Sequence, residues 1–157
     1  METIAVVLRQ PEQIELNRLA LTPPTADDVV VDVDWSGVST GTERLLWSGR
    51  MPPFPGMGYP LVPGYESVGR VVEAGTATGL HPGQRVFVPG AKCFGEVRGL
   101  FGASASRLVA TAKRVVPLDQ NLGERGILLA LAATAYHAIA AQGAQAPDCI
   151  VGHGVLG

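Results

Sequence analysis

At 157 residues the chain is long enough for one domain with a buried core. Its 12 basic and 14 acidic side chains leave a formal charge of −2, which excludes the concentrated positive field that a nucleic-acid partner requires. Two cysteines, Cys93 and Cys149, are too few for a disulfide framework, and reduced thiols are the default.

The N-terminus, Met1-Glu2-Thr3-Ile4, carries an acid at once and has neither a basic segment nor a long apolar one behind it. It does not read as a signal peptide, and a cytoplasmic location is expected. The longest apolar stretch, 127–141, includes Tyr136 and His137 and falls short of the ~20 residues that a transmembrane segment needs.

The runs 4–8, 14–21, 29–38, 67–74, 85–89 and 104–110 are short, rich in β-branched residues and separated by Gly and Pro clusters. They predict a β-barrel or sandwich. In the third run Val29, Val31, Val33 and Trp35 alternate with Val30, Asp32, Asp34 and Ser36, the period of a half-buried strand that delivers Gly37 to Thr42 at its end. Between Ser48 and Gly64 stand Pro52, Pro53, Pro55, Pro60 and Pro63. They predict a long ordered loop without regular structure, of the kind that lines sites.

Beyond Asn121 the texture changes. Residues 126–141 are alanine-rich and predict a helix, with Asn121 as cap and Gly143 as stop. It is apolar nearly all round, so burial on more than one side is expected. A barrel covers one face only; a second layer should therefore begin near 149–157. Without that layer the helix would expose apolar surface and favour a homo-oligomer.

The apolar run 148–151 leads into Gly152-His153-Gly154-Val155-Leu156-Gly157, the G-x-G-x-x-G spacing that hands a pyrophosphate to a helix N-terminus. Alone the motif is weak; its place after a strand-like run strengthens it. The helix itself, and the acidic residue about 20 positions on that meets the ribose, would lie past Gly157. The expectation is the first part of a longer enzyme.

Several landmarks now stand in order: Gly64-Tyr65-Glu66 opening a strand with Gly69 and Gly75, then Pro82-Gly83-Gln84-Arg85-Val86, then Thr134-Ala135-Tyr136-His137-Ala138 and the glycine turn. Over the whole chain this order resembles the medium-chain dehydrogenase/reductase superfamily. The resemblance implies a mostly β fold: a GroES-like, partly open barrel over 1–120, a connecting apolar helix over 121–147, and at 148–157 the first strand and glycine turn of a Rossmann domain. The stretch Trp35-Ser36-Gly37-Val38-Ser39-Thr40-Gly41-Thr42-Glu43, with its continuation over 45–60, is similar to the branch acting on bacteriochlorophyllides in bacteriochlorophyll biosynthesis. That likeness implies NAD-dependent oxidation of a 3-(1-hydroxyethyl) group to acetyl, with a bacteriochlorophyllide-type tetrapyrrole as partner. Other readings are a zinc-free quinone or alcohol oxidoreductase of the same superfamily, or a module that binds pigment or partner without redox chemistry.

Zinc members of the superfamily take their ligands from a G-x-C turn, a G-H-E histidine and a later cysteine. This chain has Ser39 and Thr40 at the first place, Tyr65 at the second, and Ala130 or its neighbours at the third. None is a usual zinc ligand. Where the structural-zinc lobe carries four cysteines only Cys93 stands, which reads as a semi-buried structural thiol. No metal is expected, and an oxygen or imidazole must then take the alcohol's proton.

His137 is the natural base by chemistry; its competing reading is a satisfied core residue. Tyr65 and Glu66 stand where the superfamily keeps its catalytic shell. Tyr65 reads equally as an aromatic packed at the barrel mouth, and Glu66, if buried, needs a partner such as Arg70. Ser39, Thr40 and Thr42 form a hydroxyl-rich turn suited to a proton relay, although Thr42 also fits as the cap of a short helix over 43–47. The resemblance gives cofactor contacts to Thr134, Gly152, Gly154 and Gly157. His81 and His153 read as loop residues. On the substrate side, Trp47, Met51, Phe54, Met57 and Tyr59 offer aromatic and thioether surface to a flat macrocycle, or else they close the barrel. Arg44 and Arg50 could meet a propionate, or be ordinary surface charges.

Overall fold

The computed structural model describes residues 1–140, 143, 145, 147–152 and 154–156. Strand β1 (Glu2–Gln10) turns at Pro11 and Glu12 and returns antiparallel as β2 (Gln13–Ala20). The short β4 (Leu61–Val62) pairs with β1 through Leu8 and Leu61, and β7 (Arg98–Gly99) joins β4 in parallel, giving the order β2-β1-β4-β7. A second, antiparallel sheet has the order β8 (Arg107–Thr111), β3 (Asp28–Ser36), β5 (Ser67–Ala74), β6 (Arg85–Val88), β9 (Val116–Pro117). An isolated antiparallel bridge, Ala5 to Ala105, links β1 to the segment leading into β8. These two sheets form the mostly β, partly open barrel that the resemblance implies.

All six predicted strands form. The even alternation expected in β3 does not hold. Val29, Val30 and Val31 are all buried, while Trp35 is exposed. The β3–β5 register shifts between Val30 and Val31 and again between Val33 and Trp35. Each such bulge inserts a residue and breaks the period of two. The proline-rich loop also departs from expectation, since β4 lies within it. Prolines at 60 and 63 cannot donate to a ladder, so only the two residues between them pair.

The main core gathers valines from both faces of the barrel, among them Val7, Val29, Val31, Val71, Val86 and Val88, with Leu108. A smaller cluster, Leu8, Leu46, Leu61 and Leu100, lies under helix α1 (Thr42–Trp47). Each such leucine contributes about 1.5–3 kcal/mol by leaving water.

The chain divides into two units, Met1–Ile127 and Leu128–Gly157. Residues 120–128 form short 3-10 turns broken at Gly123, and helix α2 runs over Leu129–Ala140, starting three residues later than expected. Gly126 is buried against Val68 and Leu118, where a Cβ would stand 2.6 Å from Leu118 Cδ1, and this close approach holds the chain out of helical register. Asn121 caps no α-helix. Within its own unit α2 buries no side chain, and Tyr136 and Ile139 are exposed. Gly143 takes a φ of 82°. The expected strand at 148–151 does not form, because a parallel strand takes its hydrogen bonds from neighbouring strands and none pairs with it among the described residues.

Candidate functional site

The end of β3 is fixed by a close approach of backbone to side chain. Gly37 N–H donates to Glu66 O at 2.7 Å, and a Cβ at Gly37 would lie 2.6 Å from Glu66 Oε2. Glycine is therefore required where the chain leaves the sheet. From there the hydroxyl turn runs into α1. Ser39, rather than Thr42, serves as its cap: Ser39 Oγ accepts from Thr42 N–H at 3.2 Å, and Ser39 N–H donates to Glu43 Oε2 at 2.8 Å. The reciprocal pair satisfies amides at the helix start that would otherwise be unpaired.

Ser39 and Thr40 open onto an apolar cleft of about 500 Å³ walled by Leu8, Ile14, Val38 and Trp47, with Glu43 and Arg44 also on its lining. Of the residues expected to line a substrate pocket, only Trp47 stands here. Met51, Met57 and Tyr59 pack against the Leu8–Leu46–Leu61–Leu100 cluster, and the Tyr59 hydroxyl donates to Leu46 O. Burial pushes that phenol upward. Phe54 lines a different cleft, described below. The structure thus divides this set, because the loop folds back on α1 and spends its thioethers and one aromatic on its own core.

Glu66 is buried, and its Oε1 has no hydrogen-bond partner. Its expected partner is engaged elsewhere: Arg70 lies 3.8 Å from Asp34 and donates to Gln120. Burial raises the Glu66 pKa. Glu43, whose Oε1 is likewise buried and unpartnered, is raised by burial and further by the charge on Glu66, while backbone N–H groups of Glu43 and Ser39 partly lower it. A half-buried and a buried carboxyl thus adjoin the hydroxyl turn, and the charge on Glu66 acts on Glu43. Glu43 is the residue that sequence reasoning missed; its signal was an acid in the first turn of the predicted helix, four residues after Ser39.

Tyr65 packs edge-on against Phe101, ring centroids 5.6 Å apart. Cys93 is buried, accepts a hydrogen bond from Val109 N–H, and has its thiol pushed up by burial, as befits a structural thiol. On α2 the Thr134 hydroxyl donates to Ala130 O at 2.9 Å, within its own helix, and His137 stands one turn further on. Gly152 has a φ of 96°. His153 and Gly157 lie outside the described residues. Among the described residues no three His, Cys, Asp or Glu side chains converge as metal ligands, and no helix is long and apolar enough to cross a membrane.

The partly open two-sheet barrel with its glycine-tight turn is the architecture of a GroES-like domain. The family model for the alcohol dehydrogenase GroES-like domain matches residues 25–120, and the chain belongs to that family. Along its whole length it is 58% identical to a protein of Rhodobacter capsulatus named 2-desacetyl-2-hydroxyethyl bacteriochlorophyllide A dehydrogenase, and 56% identical to one of the same name from Cereibacter sphaeroides. The chain spans about half the length of these curated relatives, 50% and 51%. Among solved structures, an Escherichia coli oxidoreductase/dehydrogenase of unknown specificity shares the fold, with a TM-score of 0.72 and 22% identity over 89% of this chain and 47% of its own.

Proposed function

We propose that the chain carries the catalytic domain of an NAD-dependent, zinc-free dehydrogenase that oxidises the hydroxyethyl group of a bacteriochlorophyllide to acetyl. The observation that carries this reading is the 58% identity, sustained over the whole chain, with a relative named for that substrate. The site agrees with it. A flat macrocycle calls for apolar surface, which the cleft beside Trp47 supplies, and the hydroxyls of Ser39 and Thr40 are available to hold the substrate's hydroxyl.

When bound, the nicotinamide supplies the hydride acceptor; Gly152 and Gly154, with Thr134 and Gly157, are the residues we assign to holding it. As the substrate's C–H bond gives up its hydride, its O–H proton must leave. In the first unit the Glu43 and Glu66 carboxyls, raised by burial, are the groups placed to take that proton by way of Ser39 or Thr40. Tyr65, seated on Phe101, borders this shell. By chemistry a further candidate base is His137, on α2 of the second unit.

The test is the full-length gene product with hydroxyethyl, vinyl and acetyl pigments and both nicotinamide cofactors. NADH formed with the hydroxyethyl pigment alone is the expected result; turnover with none of them would leave a pigment holder. The 157-residue chain by itself should form no NADH, since its described residues after Leu128 build no sheet around the glycine turn.

A further inference from the structure

Lys92, Arg98 and Arg114 surround a second cleft, of about 650 Å³, whose apolar wall is Phe54, Leu100 and Phe101. The ion pairs of the described residues engage Arg9, Arg18, Arg70, Arg85 and Arg107. None engages these three cations, and Glu96 on the same loop pairs with none of them. In a chain of charge −2, three uncompensated cations on one concavity constitute a local positive field.

Arg98 is held ready. Its Nη1 donates to Tyr59 O at 3.0 Å, and its Cζ would stand 3.1 Å from a Cβ at Gly58, so that glycine gives the guanidinium its seat. One edge of the fork is thereby anchored, and the remaining N–H donors are free for a carboxylate. Beside it Phe54 and Phe101 are 37% and 42% exposed, a large share for phenylalanine rings in a concave wall. Phe101 also meets Tyr65, which ties the cleft to the catalytic shell.

Aromatic wall and cationic rim together suit a flat, apolar ligand with an anionic edge. We propose that this cleft holds the carboxylate-bearing edge of the substrate, with Arg98 as its principal partner and Lys92 and Arg114 completing the charge. Arg44, on the other cleft, and Arg50 then have no part in that contact. The inference rests on the tetrapyrrole reading for the substrate's identity, but its geometry concerns only a carboxylate on an apolar plate.

The experiment titrates the chain with bacteriochlorophyllide free acid and with its methyl ester, following tryptophan fluorescence, in wild type and in R98Q, R114Q and R98K. The free acid should bind about 10- to 100-fold more tightly than the ester. R98Q should remove most of that difference and leave ester binding unchanged; R98K, which keeps charge and loses the fork, should fall between. Unchanged ester binding also reports that the variants are folded. Equal affinity for acid and ester, or an R98Q that keeps full selectivity, would overturn the subsite. A parallel turnover assay of the full-length enzyme separates the two claims. Hydroxyethyl oxidation with equal KM for acid and ester sinks the subsite and leaves the dehydrogenase reading; acid-selective binding through Arg98 without any oxidation does the reverse.

Discussion

The carboxyls of Glu43, half-buried on the first turn of α1, and Glu66, buried just before β5, lie close enough that the charge of Glu66 adds to the effect of burial in pushing Glu43 upward. No cation neutralises them among the described residues, and one oxygen of each lacks a partner. Burial disfavours the charged form of each, and the charge on Glu66 adds to that effect at Glu43.

Stability should therefore depend on pH through this pair. Both folded-state pKa values lie above those of the unfolded chain, so the proton is held more tightly in the fold. Their contribution is fully present below the unfolded glutamate value of about 4.3 and is lost as pH rises through the raised folded values. Glu66→Gln keeps the shape and removes one titration. Urea midpoints measured from acid to neutral pH should fall less steeply in this variant than in wild type, leaving it more stable near neutrality by about 1 kcal/mol. Parallel profiles would show that the pair is not coupled to folding.

Ser39 and Thr42 make opposite predictions despite their similar side chains. Ser39 caps α1 through Thr42 N–H, whereas no side-chain cap comes from Thr42. Ser39→Ala should cost about 1 kcal/mol, and Thr42→Ala should stay within about 0.5 kcal/mol of wild type. Thermal unfolding of the two variants side by side decides it; equal losses would move the cap away from Ser39.

These contrasts mark what a sequence can disclose here. Strands were legible where β-branched runs ended at Gly or Pro, and Ser67–Ala74 forms over the predicted span. Pairs of residues such as Leu61–Val62 and Arg98–Gly99 carry no periodicity, because they exist only through a partner strand. Bulges in β3 were hidden for the same reason. In the site, Ser39, Thr40 and Trp47 line one cleft, a grouping their positions in the chain did not disclose, and Met51, Met57 and Tyr59 turn inward. An aromatic or thioether reads alike in sequence whether it meets a ligand or a leucine. The cation cluster was illegible, since Lys92, Arg98 and Arg114 are spread over a loop, β7 and a 3-10 turn.

Gly37 should tolerate no side chain. A Cβ there would meet Glu66 Oε2 at 2.6 Å and Ile127 Cγ2 at 2.8 Å, one contact polar and buried, the other apolar. Gly37→Ala is expected to cost about 1–3 kcal/mol by overpacking and, in the full-length enzyme, to lower turnover by displacing the hydroxyl turn. Adding Ile127→Leu, which carries no methyl branch at Cβ, removes the Cγ2 contact and should recover part of the stability, read from urea midpoints. No recovery would place the strain at Glu66 alone.

Metal removal provides the last discriminating case. A catalytic zinc needs three protein donors around an open position, and the places to which the resemblance assigns them hold Ser39 and Thr40, Tyr65, and Ala130 or its neighbours. A hydroxyl and a phenol retain their protons near neutral pH and make poor zinc ligands, and alanine offers none. The first hydroxyl is moreover occupied as an acceptor in the α1 cap. If the carboxyl pair takes the proton instead, the full-length enzyme should keep its activity after exhaustive chelation and contain far less than one zinc per chain by elemental analysis. Glu66→Gln should then lower kcat by about 100-fold or more with little change in KM. Stoichiometric zinc whose removal abolishes turnover would defeat this account, and the carboxyls would have to be assigned to binding rather than to proton transfer.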